Sequence, residues 1–297
     1  MHSEGKAPGT QDGERPEDNN SGNTLPQAAH QGNPRLAETL RRIRCKIFVM
    51  SGKGGVGKSS VTVNLAAALA SLGLKVGVLD VDLHGPSVPG LLGIKNKKNQ
   101  VSNGMIAPVS FSGNLKIISI DTLIEDNDQA VIWRGPKKAA AIQQFIAEAD
   151  WGELDFLVID SPPGTGDEHL TILRMIPDAL CLVVTTPQEV ALADVRKALN
   201  FLRRLKARVL GIVENMSAFP CPHCGKEIAL FKPNGGLELA LGQNLPFLGA
   251  IPLDPAASEA AERGVPAVLM DNGGPSKAAF FALAENVRNA ALRFCTE

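Results

Sequence analysis

The chain has 297 residues, 44% of them hydrophobic and only 4% aromatic, and its formal charge is −1. This apolar content suffices for one large domain or two small ones, and the balanced charge excludes a global basic field for nucleic acid while leaving room for a local basic patch. Its five cysteines, an odd number in a long chain, do not suit a secreted disulfide scaffold. No apolar run approaches the roughly 20 residues that cross a bilayer, and no hydrophobic leader opens the chain, so we expect a cytoplasmic protein without membrane or nucleic-acid partners.

The first part of the chain differs in composition from the rest. Residues 1 to about 34 are rich in Gly, Pro, Asn, Gln, Asp and Glu, and Leu25 is the only large aliphatic residue there after Met1. Such a segment cannot bury enough apolar surface to offset its chain entropy. We therefore predict a disordered polar tail over residues 1–38 and a single domain over residues 39–297.

From residue 46 onwards, short β-rich apolar runs alternate with helical patterns. Several of these runs are apolar almost throughout, which is typical of a parallel sheet covered on both faces. The alternation predicts one doubly wound, mostly parallel α/β sheet with helices on both faces. Strands are predicted at residues 46–50, 75–80, 115–120, 156–160, 179–185, 208–213 and 247–251, and helices at 58–71, 136–149, 168–175, 189–205, 236–241 and 276–294.

A glycine-rich loop follows the first predicted strand. Residues 52–59 fit the pattern G-x-x-x-x-G-K-S/T, and an Ala/Leu-rich helical run comes directly after them. The glycines let backbone N–H groups surround phosphate oxygens, and the helix N-terminus favours the anion. Lys58 is predicted to reach the β- and γ-phosphates and Ser59 to offer its hydroxyl to Mg²⁺. The predicted nucleotide-binding residues of this loop are Gly52, Lys53, Gly54, Gly55, Val56, Gly57, Lys58, Ser59 and Ser60.

Two strand ends supply the carboxylates that a phosphoryl-transfer site needs. Asp80 and Asp82 lie two residues apart at the end of one strand and can therefore face the same site. Asp160 ends the apolar run 157–159 in a Walker B pattern, at the carboxyl end where open α/β sheets bind ligands. Any one aspartate could instead be a cap or turn residue, but three of them at strand ends predict a magnesium site formed by Ser59, Asp80 and Asp160.

The segment after Asp160 indicates a switch loop, in which Gly164 can approach the γ-phosphate and paired prolines limit the conformations. Asn215 follows the sixth predicted strand, and its amide can both donate to and accept from a purine edge. Taken alone, this asparagine would be an ordinary turn residue. The predicted switch-loop residues are Pro163, Gly164, Thr165, Gly166 and Asp167.

Cys221 and Cys224 form the only close cysteine pair of the sequence, in a loop near residues 215–232. The C-x-x-C spacing suits two thiolates that chelate one metal or one iron–sulfur cluster. A thioredoxin-type redox pair is one alternative, but such a pair lies at a helix N-terminus after an early strand, whereas this pair follows the sixth predicted strand. A zinc knuckle is another, but it needs four ligands and the sequence holds no second C-x-x-C. Two chains would bring four thiolates, enough for a 4Fe–4S cluster or for zinc at a two-fold interface.

The remaining cysteines, Cys45, Cys181 and Cys295, are assigned to no site. Cys181 lies within an apolar strand and is interpreted as a buried core thiol.

The run 53–60 resembles the deviant Walker A motif of the MinD, ParA and nitrogenase iron protein group. This resemblance implies that Lys53 crosses a dimer interface to the partner's nucleotide. It also implies that Asp82 orients the attacking water and that Asn215 contacts adenine. The catalytic residues predicted in this way are Lys53, Lys58 and Asp82.

Over residues 40 to 297 the chain resembles the Mrp/ApbC family of P-loop ATPases, the iron–sulfur cluster carriers. The resemblance implies binding of ATP, slow Mg²⁺-dependent hydrolysis, and a 4Fe–4S cluster shared across a homodimer or with a close paralogue. It further implies transfer of the cluster to apo-proteins. Residues 1–44 hold no Cys, so the chain resembles the short form with the bridging cluster alone. The segments that carry this resemblance are 53–60, 80–87, 133–136, 160–167, 214–217 and 221–224.

Two other functions remain as alternatives. A positioning ATPase of the MinD/ParA kind would need a membrane helix or a basic DNA face, whereas the last predicted helix has only Lys277, Arg288 and Arg293 as basic residues. A zinc-bridged regulatory ATPase would differ in the metal that the cysteines bind.

Overall fold

The structure is a computed structural model that describes His2 and residues 34–83, 85–102, 104–123, 135–221, 223–271 and 273–295. The predicted tail lies outside the described residues up to residue 33, His2 excepted. From Pro34 the chain is helical, so the predicted boundary at residue 39 falls inside a helix. Leu36 and Leu40 of this helix are buried, because an i,i+4 pair of leucines gives even a short helix one apolar face.

Ten α-helices and one short 3₁₀ helix, Ala267–Leu269, are described, and helices alternate with strands over most of the chain. Most predicted helices are present within a few residues of their expected bounds. The helices are α1 Pro34–Arg41, α2 Lys58–Ser71, α3 Val88–Leu91, α4 Ile120–Leu123, α5 Gly135–Ala147, α6 Asp167–Met175, α7 Glu189–Arg204, α8 Gly235–Gly242, α9 Pro255–Glu262 and α10 Pro275–Leu292.

A central sheet of eight strands organises the domain, in the order β12-β9-β8-β1-β7-β2-β6-β5. All neighbouring pairs are parallel except β5–β6, which is antiparallel. The prediction of a mostly parallel doubly wound sheet is confirmed. The strands are β1 Ile43–Ser51, β2 Val76–Asp80, β3 Gln100–Ser102, β4 Met105–Ala107, β5 Val109–Ser112, β6 Leu115–Ser119, β7 Leu154–Asp160, β8 Leu180–Thr185, β9 Arg208–Asn215, β10 Phe219–Pro220, β11 Glu227–Ile228 and β12 Phe247–Ile251.

The two faces of this sheet carry separate apolar cores. One core joins α2 and α10 to the sheet, and the other joins α1, α5, α6 and α7 to the opposite face. The middle strands are buried along their whole length, as their continuous apolar runs predict. Because every middle strand is parallel, their carboxyl ends meet at one edge, which we call the nucleotide edge. Their amino ends meet at the opposite edge, which we call the amino edge.

Two hairpins and the edge strand β5 were not predicted. The β3–β4 hairpin and the β10–β11 hairpin have strands of only two or three residues. Strands this short lack an apolar period that a sequence pattern can reveal. The β10–β11 hairpin carries Cys221 and Cys224 at its turn, so we call it the dithiol hairpin.

Cys45 and Cys295, which the sequence analysis assigns to no site, are bonded to each other. Cys45 is fully buried in β1, and Cys295 follows α10 with its Cα atom 5.7 Å away. Their separation of 250 residues gives no sequence signal for the pairing. Cys181 is a free, buried thiol, as predicted, and burial raises its pKa to about 12. Among the described residues, no helix is long and apolar enough to cross a membrane.

Candidate functional site: a phosphate loop and a dithiol hairpin

The glycine-rich loop between β1 and α2 has the backbone that a phosphate cradle requires. Gly55 and Gly57 have φ angles of 77° and 78°, in the left-handed region that favours glycine. Gly52 lies so close to the backbone of Asp194 in α7 that a Cβ atom would overlap it. The loop therefore depends on glycine for its conformation at two positions and for close packing at a third.

The side chains at the start of α2 converge on one carboxylate, that of Asp160. Lys58 Nζ lies 2.7 Å from Asp160 Oδ1, and Ser59 Oγ donates to Asp160 Oδ2 at 2.6 Å. Thr62 Oγ1, one turn further along α2, donates to Asp160 Oδ1 at 2.7 Å. Asp160 is fully buried and Lys58 is 7% exposed. The chain thus brings together the predicted Lys58, Ser59 and Asp160, and it adds Thr62, which the sequence reasoning missed although it sits four residues after Lys58 on the same helix face.

Asp80 stands beside Asp160 on the neighbouring strand, since the two residues pair in the β2–β7 register. Asp80 Oδ2 accepts a hydrogen bond from Ser119 Oγ at 3.1 Å, and Asp80 Oδ1 accepts one from the Asp82 backbone N–H at 3.1 Å. Burial raises the pKa of Asp80 well above its usual value, and the negative charge of the nearby Asp160 raises it further. Two adjacent buried carboxyls with a serine hydroxyl beside them form an all-oxygen donor set, which fits a bound Mg²⁺ ion.

The two remaining predicted catalytic side chains lie at the surface of this edge. Asp82 is partly exposed, and its Oδ1 accepts from the Gly85 backbone N–H at 3.3 Å. Lys53 is also partly exposed, and its ammonium makes no ion pair with any residue that the structure describes. Within one chain, these two partly exposed side chains lie beside the buried Lys58–Asp160 pair rather than within it.

The predicted switch loop lies directly against the phosphate loop. A Cβ on Gly54 would stand 3.7 Å from the Cβ of Pro163, and Gly164 has a φ of 87°. The loop ends on α6, where the backbone N–H of Gly166 donates to His169 Nδ1 at 3.3 Å. Thr165, Gly166 and Asp167 are exposed. The five predicted residues therefore form one loop whose first part contacts the phosphate loop.

His169, in α6 directly after the switch loop, is a residue of this region to which the sequence analysis gives no role. It is fully buried, its ring meets Phe48 edge-on at 5.6 Å, and its Nε2 finds no hydrogen-bond partner among the described residues. Burial lowers the pKa of His169 to about 4, so the imidazole is neutral at pH 7. No sequence signal distinguishes a buried histidine from an exposed one at this position.

Asn215 joins the phosphate loop to a cavity of about 250 Å³. Its Nδ2 donates to the Val56 carbonyl at 2.9 Å, and it packs against Gly57 so closely that a Cβ there would overlap the amide. The opposite wall of the cavity contains Pro252, Leu253 and Asp254, which follow β12. The sequence reasoning missed this wall, although an aspartate directly before a proline at residue 255 is a helix-start signal that could have marked it.

The dithiol hairpin places both thiols at the surface. The Cys221 N–H donates to the Lys226 carbonyl at 2.9 Å, the Gly225 N–H donates to the Cys221 carbonyl at 2.9 Å, and Gly225 has a φ of 70°. Cys221 is partly exposed and Cys224 exposed. The His223 backbone N–H, and next that of Cys224, lowers the pKa of Cys221 because hydrogen bonds favour the thiolate. Among the described residues no group of three or more metal-ligating side chains occurs, so one chain supplies two thiol ligands here and no third.

The hairpin is attached to the wall of the cavity beside Asn215. Ser217 N–H donates to the Ile251 carbonyl at 3.0 Å, and Leu253 N–H donates to the Ala218 carbonyl at 2.8 Å. The segment between Asn215 and Cys221 is thus hydrogen-bonded to the residues that line the cavity. The two candidate sites are joined by a short and partly fixed piece of backbone.

Comparison with known proteins agrees with this pairing of sites. A family model described as the ParA-type NUBPL iron-transfer P-loop NTPase matches residues 42–288. An iron–sulfur cluster carrier protein of Methanocaldococcus jannaschii is 48% identical over 255 residues, covering 84% of this chain and 88% of that protein. The human cytosolic Fe-S cluster assembly factor NUBP2 is 46% identical over 268 residues, covering 89% of this chain and 97% of that protein.

Solved structures give the same picture of the fold. A nucleotide-binding protein of Archaeoglobus fulgidus in complex with ADP superposes with a TM-score of 0.71 at 39% identity, covering 83% of this chain and 96% of that one. The cell division ATPase MinD of Pyrococcus furiosus superposes with a TM-score of 0.59 at 23% identity, covering 83% and 99%. At that lower identity the likeness concerns the fold alone.

Proposed function

The chain belongs to the ParA-type NUBPL family of iron-transfer P-loop NTPases, and we propose that it is an ATP-hydrolysing carrier of iron–sulfur clusters. The observation that carries the proposal is the dithiol hairpin: one partly exposed and one exposed thiol, without a third ligand among the described residues. Cys221 lies six residues after Asn215, which lines the cavity beside the phosphate loop. The names of the relatives, cluster carriers and cytosolic assembly factors, support a cluster as cargo and the cytosol as its place.

The nucleotide part of the proposal follows from the groups around Asp160. The loop N–H groups and Lys58 would bind the phosphates of ATP, and the cavity beside Asn215 would receive the base. Ser59, Asp80 and Asp160 would hold Mg²⁺, which neutralises charge on the transferred phosphoryl group. Lys58 would exchange its ion pair with Asp160 for the phosphates. Asp82, at the mouth of this site, would orient the attacking water.

The cargo part follows from the number of thiols. A 4Fe–4S cluster is held by four thiolates, and one chain offers Cys221 and Cys224. We therefore propose that two chains share one cluster across a two-fold axis, as a homodimer or with a close paralogue. Lys53, whose ammonium has no ion pair among the described residues, would reach the partner's nucleotide across the same interface. Apo forms of iron–sulfur proteins would then accept the cluster.

The link between the two sites is the hydrogen-bonded segment from Asn215 to Cys221. ATP binding beside Asn215 would alter the orientation of the two subunits and with it the geometry of the four thiolates. Hydrolysis would return the dimer to its starting arrangement.

Metal analysis after anaerobic reconstitution with iron and sulfide tests the proposal. The expected result is about four irons and four sulfides per dimer with the visible absorbance of a 4Fe–4S cluster. Cys221→Ser and Cys224→Ser should each abolish it. Cys181→Ala, which removes a buried thiol, is the matched control and should retain the cluster.

Two outcomes would contradict the proposal. Full cluster retention in both single variants would show that these thiols are not the ligands. Purification of the anaerobic protein with stoichiometric zinc and no capacity for iron would favour the zinc-bridged ATPase instead, for which the short C-x-x-C-G turn is also suited.

A further inference from the structure

A second large cavity lies at the amino edge of the sheet, on the side away from the phosphate loop. Its volume is about 620 Å³, and nine of its thirteen lining residues are charged. We call it the basic cleft. Its charged residues are Arg41, Arg42, Arg44, Lys46, Lys75 and Arg208 together with Glu153, Asp155 and Asp178.

The basic cleft has an excess of positive charge that its own carboxylates do not balance. Six cations against three carboxylates leave a net charge of +3, in a chain whose total charge is −1. Within the described ranges, ion pairs reach only two of the six: Arg41 pairs with Glu38, and Lys46 pairs with Asp178 at 2.8 Å. The Asp155 carboxylate accepts a hydrogen bond from the backbone N–H of Lys75 at 2.8 Å, so one of its oxygen atoms already has a donor. Four cations therefore face the cleft without an ion pair in the described structure: Arg42, Arg44, Lys75 and Arg208.

The positions of these cations follow from the order of the strands. The amino ends of β9, β8, β1, β7 and β2 lie side by side in the sheet. Arg208 begins β9, Arg44 lies near the start of β1, and Lys75 precedes β2, whereas the carboxylates belong to the starts of β8 and β7. Cations thus occur at every second strand. With strands about 4.8 Å apart, the backbone positions of these cationic residues are spaced by about 9.6 Å, in a row about 19 Å long.

This spacing selects among anionic ligands. A ligand with a single phosphate or carboxylate would leave part of this cationic row unpaired, because the row is about 19 Å long. An extended polypeptide in the polyproline II conformation advances about 3.1 Å per residue, or about 9.3 Å for three residues. Acidic side chains at every third residue of such a segment would match the three cationic strands. Phe294, which is 50% exposed at the rim, adds an apolar surface for the side chains between them.

We propose that the basic cleft is a docking site for an extended acidic segment of a partner protein, with carboxylates about three residues apart. The site lies at the opposite edge of the sheet from both the phosphate loop and the dithiol hairpin. A partner could therefore be held there without blocking nucleotide or cargo. The proposal does not depend on which metal the thiols bind.

The test uses the full chain and a fluorescein-labelled peptide of four Glu-Pro-Pro repeats, followed by fluorescence anisotropy at 50 mM salt. The cleft variant is Arg44→Glu/Arg208→Glu, and the matched control is Lys97→Glu/Arg263→Glu, which reverses two exposed charges outside the cleft. We expect the cleft variant to bind the peptide at least about tenfold more weakly, which corresponds to about 1.4 kcal/mol, and the control to bind as the unchanged protein does. ATP turnover and cluster loading, measured on the same samples, should be unchanged in both.

Three competitors distinguish this ligand from other anions. A peptide of the same composition with its four glutamates contiguous, inorganic pyrophosphate, and a single-stranded RNA of twelve nucleotides should each displace the labelled peptide at least about tenfold less well than the unlabelled repeat peptide. Equal displacement by pyrophosphate or RNA would overturn the proposal in favour of a phosphate site. Equal binding by the cleft and control variants would overturn the site itself.

The chain's own first 33 residues hold five carboxylates and two cations and are a competing occupant. The full-length variant Asp12→Asn/Glu14→Gln/Glu17→Gln/Asp18→Asn addresses it. Unchanged peptide affinity in this variant supports the proposal. Binding that occurs only in this variant would assign the cleft to the chain's own segment and overturn docking of a partner.

Discussion

The nucleotide edge and the dithiol hairpin differ in how much of their structure a single chain supplies. At the nucleotide edge, Lys58 and Asp160 are buried, and four polar side chains already bond to one another. At the hairpin, two strands of two residues carry thiols that face solvent and have no further ligand among the described residues. The first site is preorganised by the fold, whereas the second needs groups from outside the chain. Substitutions at the two sites should therefore have opposite signatures, with stability affected at the first and ligand binding alone affected at the second.

The largest effect is expected for Asp160→Asn, which leaves the Lys58 ammonium buried beside a neutral amide. Breaking a buried ion pair by removing one partner typically destabilises a protein by about 3–5 kcal/mol. Urea unfolding at pH 7 without nucleotide measures this loss. Asp80→Asn is the matched control: because burial disfavours the charged form of Asp80, its replacement by a neutral isostere should change stability by less than about 1 kcal/mol. Equal losses in the two variants would contradict the conclusion that Asp160 forms a buried ion pair with Lys58 whereas burial disfavours the charged form of Asp80.

A smaller effect is expected for Gly57→Ala, which adds a Cβ at a left-handed position that is also packed against Asn215. Gly55→Ala makes the same backbone change where the added Cβ meets no other atom. It should therefore lower the free energy of unfolding only through the strained left-handed backbone, by about 1–2 kcal/mol. Gly57→Ala should lose at least about 1 kcal/mol more through overpacking, and ADP should bind it more weakly. Unfolding and ADP titration of both variants check this. Identical behaviour would show that Asn215 does not support the phosphate loop.

The pH dependence of stability should reveal the buried His169 behind the switch loop. Its pKa is about 4 in the folded chain and 6.5 in the reference state, so the unfolded state binds the proton more readily. The stability that depends on this neutral histidine is complete above pH 6.5 and is lost as the pH falls towards 4. Between pH 7 and pH 5 the loss should be about 2 kcal/mol. His169→Gln, measured by urea unfolding over the same range, should show a loss smaller by that amount, and an unchanged pH profile would place the titration elsewhere.

The smallest effect on stability is expected at the hairpin. Cys221→Ala in the metal-free protein removes a partly exposed thiol and should change the free energy of unfolding by less than about 0.5 kcal/mol. The same substitution should remove cluster binding entirely. A large loss of stability without metal would mean that Cys221 has a structural role within one chain, and the contrast between the two regions would fail.

The strand ends show what sequence could predict and what it could not. Lys58, Ser59 and Asp160 were predicted together because a motif at a fixed spacing and an apolar strand that ends in aspartate both have local signals. Thr62 and Asp254 have local signals, a helical spacing from Lys58 and a helix start before residue 255, but they were missed because the groups they face depend on which strand lies next to which. The bond between Cys45 and Cys295 depends on the path of the whole chain, and no local pattern encodes it.

Two other errors concern the bounds of elements rather than the role of a side chain. Leu36 and Leu40 have helical spacing, but the polar composition around them led to a predicted tail that extends into α1. The hairpin strands Phe219–Pro220 and Glu227–Ile228 are flanked by Pro and Gly, which mark turns, yet each strand is too short for a period to appear.

The bond between Cys45 and Cys295 changes the connectivity of the unfolded chain. When it is closed, it turns the residues between them into a ring that contains the phosphate loop and the dithiol hairpin, while α1 remains outside as a branch. In a chain-entropy treatment, closing a ring of this size raises the free energy of the unfolded ensemble by about 5.5 kcal/mol at 25 °C. Free energies of unfolding for these variants are therefore comparable only within one thiol condition. Measured with and without reductant, they would describe the same folded domain relative to two different unfolded states.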